Sequence, residues 1–168
     1  NTPYDRISVT GNTVVDALRR VSAMNRPTSN VTLREVLAEE TRLVLLTAHR
    51  RESFGEPLRE LFGAVRALAD EFEDVAIVYP VHPNPNVQGP AQEFLAGHPR
   101  IHLTPPLDYF DLVGALKAAH LVLTDSGGIQ EEAPTFGTHV LVLREVTERP
   151  EGIESGVAEL VGTNRDKI

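Results

Sequence analysis

Short apolar runs rich in β-branched residues recur along the chain and set its rhythm: Leu43 to Thr47, Val75 to Tyr79, Ile101 to Thr104, Leu121 to Thr124 and Val140 to Leu143. Val157 to Val161 is a weaker candidate. Most run continuously rather than alternating apolar with polar, which is the pattern of strands buried on both faces. Between them the spacing becomes that of a helix. From Pro57 to Phe72 the apolar positions Leu58, Leu61, Phe62, Val65, Leu68, Ala69 and Phe72 fall three and four apart and make one continuous face. Pro57 suits a first helical turn, where no intrahelical N–H is needed. A second helix is predicted from Asp108, a suitable N-cap, with Leu112, Val113, Leu116 and Ala119 turned inward. A third follows Gly128 and ends near Gly137, a suitable C-cap. Another runs from Thr13 to about Met24, and Asn25 to Asn30, with Pro27, reads as a loop.

Strands alternating with helices imply parallel strands joined by right-handed crossovers. The predicted fold class is therefore α/β, a doubly wound and mainly parallel sheet. A length of 168 residues suffices for one domain with a substantial core and is too short for two ordinary ones. Residues 1–8 read as a linker from a preceding domain, and Arg165 to Ile168 as the start of a helix that is cut short. The expectation is one domain of a longer protein.

Composition narrows the function classes. Hydrophobic residues make up 41% and charged residues 24%, an ordinary globular balance. No apolar run approaches the roughly 18–20 residues of a membrane span. A formal charge of −8 argues against a nucleic-acid or membrane-surface role, since either needs a basic footprint. It leaves room for a small anionic ligand, because distant surface charge is screened within about 10 Å. Cysteine is absent, which excludes disulfides and thiolate metal sites and agrees with a reducing cytoplasm. Six histidines invite a zinc reading, but no HxH or HExxH spacing supports one, so no metal is expected.

In an open parallel sheet, ligands bind beyond the carboxyl ends of the strands. The residues that core packing leaves unexplained fall there. They are His49-Arg50-Arg51-Glu52, then Pro80-Val81-His82-Pro83-Asn84, then Pro105-Pro106-Leu107, then Asp125-Ser126-Gly127-Gly128, and last Arg144, Glu148 and Arg149. The most informative is Asp125 to Glu132, where a strand ends, two glycines turn the chain and a helix begins. A first helical turn has unpaired N–H groups and a partial positive charge, so it can cradle a phosphate. Ser126 adds a hydroxyl donor, and a glutamate one turn in can accept from ribose hydroxyls. The plainer alternative is a tight turn with acids placed where helix N-termini favour them. His49, Arg50 and Arg51 supply cationic donors, or the arginines pair with Glu52 or Glu56 on the surface. His82 donates to a ligand or caps its own loop. Arg149 reaches into the cleft or pairs with Glu148 or Glu151. His98, His102, His120 and His139 read as structural or exposed. Neither GxGxxG nor GxxxxGK[ST] is present, which disfavours a nicotinamide oxidoreductase or a P-loop NTPase.

Five ordered strings carry a family resemblance: TGNTVVDAL (Thr10 to Leu18), TAHRRESFG (Thr47 to Gly55), VYPVHPNPNV (Val78 to Val87), LTDSGGIQEEAP (Leu123 to Pro134) and LREVTERPEGIESG (Leu143 to Gly156). Together they resemble the non-hydrolysing UDP-N-acetylglucosamine 2-epimerases, from about Val9 to Thr163. That family is similar in fold to glycosyltransferase-B enzymes, with two Rossmann-like domains closing over a UDP-sugar. The resemblance makes this chain the C-terminal, UDP-binding domain. It implies that Ser126, Gly127 and Gly128 hold the diphosphate and Glu132 the ribose hydroxyls. It further implies that His49 lies close to the diphosphate as the candidate catalytic residue, and that Arg149 completes the pocket. The loop from Leu107 to Leu112 is expected to flank the uracil, with Leu112 standing where the family often has an aromatic. Arg50 and His82 match positions that bind a second, activating substrate molecule in bacterial members.

The implied reaction eliminates UDP from UDP-N-acetylglucosamine and adds it back with C2 inverted, giving UDP-N-acetylmannosamine. It needs no cofactor. Its C2 acid and base belong to the N-terminal domain in the family, so this chain alone is expected to bind UDP weakly and to leave UDP-N-acetylhexosamines unconverted. A cytoplasmic setting, a role in cell-envelope polysaccharide synthesis and a full-length homodimer also come with the resemblance. A UDP-sugar glycosyltransferase, a hydrolysing epimerase and a non-catalytic UDP-binding module remain alternatives, since each would share the phosphate site.

Overall fold

The computed structural model describes residues 2–8 and 10–168. Asn1, in the expected linker, and Val9, where the family-like stretch opens, lie outside the described residues. Six parallel strands form one sheet in the order β3-β2-β1-β4-β5-β6. They are β1 (Arg42–Thr47), β2 (Val75–Pro80), β3 (Ile101–Thr104), β4 (Leu121–Thr124), β5 (His139–Val142) and β6 (Ala158–Leu160). Each matches its expected run to within one residue at either end, including the weak sixth. The four central positions of β1, Leu43 to Leu46, are all buried, as the unbroken apolar run requires.

The helices are α1 (Thr13–Ala23), α2 (Val31–Ala38), α3 (Glu56–Glu71), α4 (Pro85–Leu95), α5 (Tyr109–Ala118), α6 (Gly127–Glu132) and α7 (Pro150–Glu154). They cover both faces of the sheet. On one face Leu58, Leu61, Phe62 and Val65 of α3, with Val87, Ala91 and Leu95 of α4, pack on Leu46, Ile77 and Tyr79. On the other, Leu33 and Val36 of α2, Ala115 and Leu116 of α5, and Ile129 of α6 pack on Leu45, Val78 and Val122. The doubly wound α/β reading holds.

Three helices escape the periodicity, α2, α4 and the five-residue α7. In α4, Gly89 and Pro90 look like breakers, yet Asn84 caps Asn86 N–H at 2.9 Å and Pro85 occupies the first turn. Its buried face then outweighs the backbone bond lost at Pro90. In α2, only eight residues long, the Asn30 side chain caps Leu33 N–H at 2.9 Å. The expected third helix begins at Gly127 and tightens after Glu132 into a 3-10 turn, Ala133–Phe136, closed by Gly137 at φ 77°. The helix expected from Asp108 is present, and it corrects the expected loop from Leu107 to Leu112. Asp108 caps Asp111 N–H at 2.8 Å, so the chain is already helical from Tyr109 and Leu112 lies within α5. Ala119 is buried, but as the residue that ends this helix.

In this strand order the connections leave β1 and β4 toward opposite sides, which opens a crevice beyond their carboxyl ends. Thr47 and Thr124 stand opposite one another at that edge, and their hydroxyls bond at 2.6 Å. Asp125 N–H donates to Thr47 O at 3.0 Å, and Ser126 N–H to the Thr124 hydroxyl at 2.9 Å. The turn into α6 is thereby fixed to the β1 edge.

Candidate functional site

The mouth of α6 is built from three consecutive residues with different tasks. Ser126 is the N-cap in extended conformation, but its side chain makes no capping hydrogen bond, so the hydroxyl is uncommitted. Gly127 is buried, and the Arg149 guanidinium lies against it: a Cβ there would sit 3.4 Å from Arg149 Cζ and 3.6 Å from its Nε and Nη1. At Gly128 a Cβ would meet Glu132 Oε1 at 3.4 Å. A cation and a carboxylate thus stand at contact distance from the two glycines that open the helix.

Arg149 turns toward α6. Its Nε donates to Glu131 Oε1 at 2.6 Å, and Asn12, the N-cap of α1, donates to the other oxygen of the same carboxylate. Neither of the neighbouring acids open to it, Glu148 or Glu151, takes that role; Glu148 is held by Arg144 at 2.7 Å. Glu52 likewise pairs with buried Arg144, at 2.9 Å. A cavity of about 430 Å³ lies beside that network, and Glu52 and Arg144 in its lining are already paired within the chain.

On the other flank of Ser126 lies a pocket of about 240 Å³ lined by Thr47, His49, Pro80, His82, Pro106, Leu107, Leu112, Ser126 and Ile129. Five of the sequence-selected residues thus meet in one depression: His49, His82, Leu107, Leu112 and Ser126. Gly127, Gly128, Glu132 and Arg149 stand around the helix mouth rather than in that depression. Arg50 is drawn toward the same corner, its Nε donating to Asp125 O at 3.2 Å. The His49 and His82 rings stack, with centroids 5.4 Å apart and planes 10° from parallel. His82 Nδ1 accepts the Asn84 N–H at 3.1 Å, so His82 both orders its loop and faces the cleft. Of the remaining histidines, His98 is buried and bonded to Asp70 at 3.0 Å, a structural role. His120 and His139 are exposed.

Sequence reasoning gave four contributors no role of their own. Asp125 is almost wholly buried and gathers the His49 loop around its carboxylate, a task no motif spacing signals. Glu131 serves Arg149 from the position next to Glu132. Tyr109 supplies an aromatic near the site: burial first, and then the Glu132 charge, push its phenol up. The Tyr79 hydroxyl, deep in the core, donates to Ala48 O at 2.6 Å and braces the same loop from below.

Glu132 carries a measurable signature. Burial, and then the Glu131 charge, raise its carboxyl above the ordinary 4.5, and its Oε2 is buried without a hydrogen-bond partner among the described residues. A folded value above the unfolded one means that the native state binds this proton more tightly. Stability from this group therefore rises as pH falls from neutral through its folded pKa, and the ionised carboxylate is a cost at neutral pH. Glu132→Gln is expected to raise the thermal midpoint by about 1–2 °C at neutral pH, discounted for the group's partial exposure. The gap from the parent should close toward acid. A midpoint unchanged or lowered at neutral pH would contradict this assignment.

The comparisons with known proteins agree with the geometry. The sequence profile of the family described as UDP-N-acetylglucosamine 2-epimerase matches residues 1–168. A Bacillus subtilis relative, named UDP-N-acetylglucosamine 2-epimerase, is 47% identical over 100% of this chain and 43% of its own length. The S. aureus MnaA–UDP structure superposes with a TM-score of 0.89 at 46% identity, covering 98% of this chain and 44% of that one. The Neisseria meningitidis UDP-GlcNAc 2-epimerase bound to UDP-GlcNAc superposes with a TM-score of 0.87 at 38% identity, over 99% and 46% of the two chains. The chain spans less than half the length of these relatives. With its fold, its motifs and these matches in agreement, the chain belongs to the UDP-N-acetylglucosamine 2-epimerase family.

Proposed function

We propose that this chain is the UDP-binding half of a non-hydrolysing UDP-N-acetylglucosamine 2-epimerase, working in the cytoplasm with a separate N-terminal domain. One observation carries the reading: Arg149 lies against Gly127 at the start of α6, while Ser126 and His49 share a pocket on its other side. Backbone amides, a free hydroxyl, a guanidinium and an imidazole then surround one position, and a diphosphate suits that set. Glu132 accepts from the ribose, and Leu107 and Leu112 flank the uracil with Tyr109 nearby. Arg50 and His82 are the candidates for contact with a second, activating UDP-sugar.

In the elimination, the C1–O bond breaks and its electron pair passes to the diphosphate oxygen. Fixed donors aimed at that oxygen are worth most in the transition state, when the charge develops. This half therefore lowers the barrier to leaving-group departure and holds UDP for re-addition. The C2 proton is removed and returned by groups of the N-terminal domain. A depression of about 240 Å³ takes only part of a nucleotide-sugar, since ligand sites commonly offer roughly 300–1,000 Å³. The second domain is the natural cover for the remainder.

The isolated chain is accordingly expected to bind UDP with a Kd in the range of about 0.1–1 mM by calorimetry. Incubated with UDP-N-acetylglucosamine, it should yield no UDP-N-acetylmannosamine by product NMR, while the full-length protein should. Conversion by the 168 residues alone would overturn the division of labour.

A further inference from the structure

Asp125 is 1% exposed at the end of β4, and both its oxygens face the His49 loop. Oδ2 accepts the His49 N–H at 2.6 Å and the Arg50 N–H at 2.7 Å. Oδ1 is buried without a hydrogen-bond partner among the described residues and lies 3.3 Å from His49 Nδ1. A buried carboxylate oxygen left unpaired is costly, and the donor set beside it is that ring nitrogen. Contacts of this kind are often long in a resting site and tighten when a ligand seats.

We propose that Asp125 is the positioning residue for His49, fixing the neutral imidazole with its proton on Nδ1 and leaving Nε2 for the ligand. The proposal rests on the placement of His49 beside the diphosphate and adds how that ring is held. A carboxylate behind the ring holds its proton on Nδ1, turns Nε2 toward the ligand and stabilises the imidazolium once Nε2 takes a proton. Nε2 takes that proton from solvent before the substrate seats, and the imidazolium then offers Nε2–H as a hydrogen bond to the diphosphate oxygen as C1–O breaks. No proton needs to leave the pair.

The neighbouring ring supplies an internal reference. His82 Nδ1 accepts from Asn84 N–H, so its proton sits on Nε2. The stacked pair is therefore assigned opposite tautomers: Nδ1–H for His49 and Nε2–H for His82. A carboxylate that merely clamped the loop through its two backbone amides would leave the ring free to take either form.

Asp125→Asn separates the two roles. The asparagine oxygen still accepts both backbone N–H groups, while its amide N–H now faces His49 Nδ1 and drives the ring proton to Nε2. Histidine-labelled chain, read by ¹⁵N NMR across the neutral pH range, should show Nδ1–H at His49 and Nε2–H at His82. Asp125→Asn should move His49 alone to Nε2–H. In the full-length protein the same change should lower kcat by roughly 100-fold or more, with KM altered less than about threefold. Nε2–H at His49 in the parent, a tautomer indifferent to the substitution, or an undiminished kcat would each overturn the proposal. Should Asp125→Asn fail to fold, the parent spectrum still decides, since it needs no substitution. A parent chain with the assigned tautomers but no response to UDP would instead count against the UDP-binding reading alone.

Discussion

Gly127→Asp is expected to weaken UDP binding by roughly 100-fold or more, about 3 kcal/mol, while leaving the fold intact. A side chain at this position meets Arg149 at ordinary contact distance, 3.4 Å to Cζ, so steric strain is small. The new carboxylate would pair with the guanidinium from within the helix start, where a phosphate oxygen belongs. It would also place a negative charge against the incoming diphosphate. At the same time, an acid in the first turn of a helix stabilises it by about 0.3–1 kcal/mol. Calorimetric titration with UDP should therefore collapse while the thermal midpoint stays level or rises. Ser126→Ala removes one uncommitted hydroxyl and should cost only about three- to tenfold in affinity. An unchanged isotherm for Gly127→Asp would remove α6 from the site.

Arg149→Ala is the second large effect, a loss of roughly 30- to 100-fold in UDP affinity. Two consequences act together. The cation beside Gly127 disappears, and Glu131, whose partner at 2.6 Å it was, becomes an unneutralised carboxylate next to the same cradle. Arg149→Lys should recover only part of the loss. Arginine presents Nε to Glu131 while its Nη groups remain for the ligand, and an ammonium has a single nitrogen for both. Removing a phosphate-binding cation should also flatten the salt dependence of binding. Titrations at low and high ionic strength read both quantities. Affinity for Arg149→Ala within about twofold of the parent would show that the guanidinium serves the fold and not the ligand.

The two substitutions differ in how much of their basis is visible in the chain. Gly127 can be singled out because two adjacent glycines stand where a strand ends and a helix begins, although a plain tight turn fits the same string. Arg149 is visible as a strand-end residue, but nothing in Thr147-Glu148-Arg149-Pro150 distinguishes a cleft-facing arginine from one bound to its neighbours, and only the family resemblance assigns it to the pocket. The structure separates them. Arg144 occupies Glu52 and Glu148, which leaves Arg149 to cross to Glu131, eighteen positions away in the chain.

The same division runs through the secondary structure. Unbroken apolar runs, such as Leu43 to Leu46 in β1 and Val122 with Leu123 in β4, declare themselves as buried strands, because a parallel sheet covered on both faces tolerates little else. Helix α4 is hidden, because Gly89 and Pro90 argue locally against it, and only packing of Val87, Ala91 and Leu95 under the sheet overrides them. Leu112 reads both as the inward face of a helix and as part of a uracil-flanking loop. The Asp108 cap decides for the helix, by fixing where it starts.

By itself the chain determined a doubly wound sheet, the edge of that sheet that carries polar chemistry, and the glycine-opened helix at its centre. These follow from local periodicity and backbone stereochemistry, which act over a few residues and are written in their order. The tertiary structure alone decided which charges meet. Asp125 beneath His49, Glu131 behind Arg149 and His82 stacked on His49 join strand ends far apart in the chain, brought together by the order β2-β1-β4-β5. Electrostatic partners depend on distance in space, and spacing along the chain does not encode it.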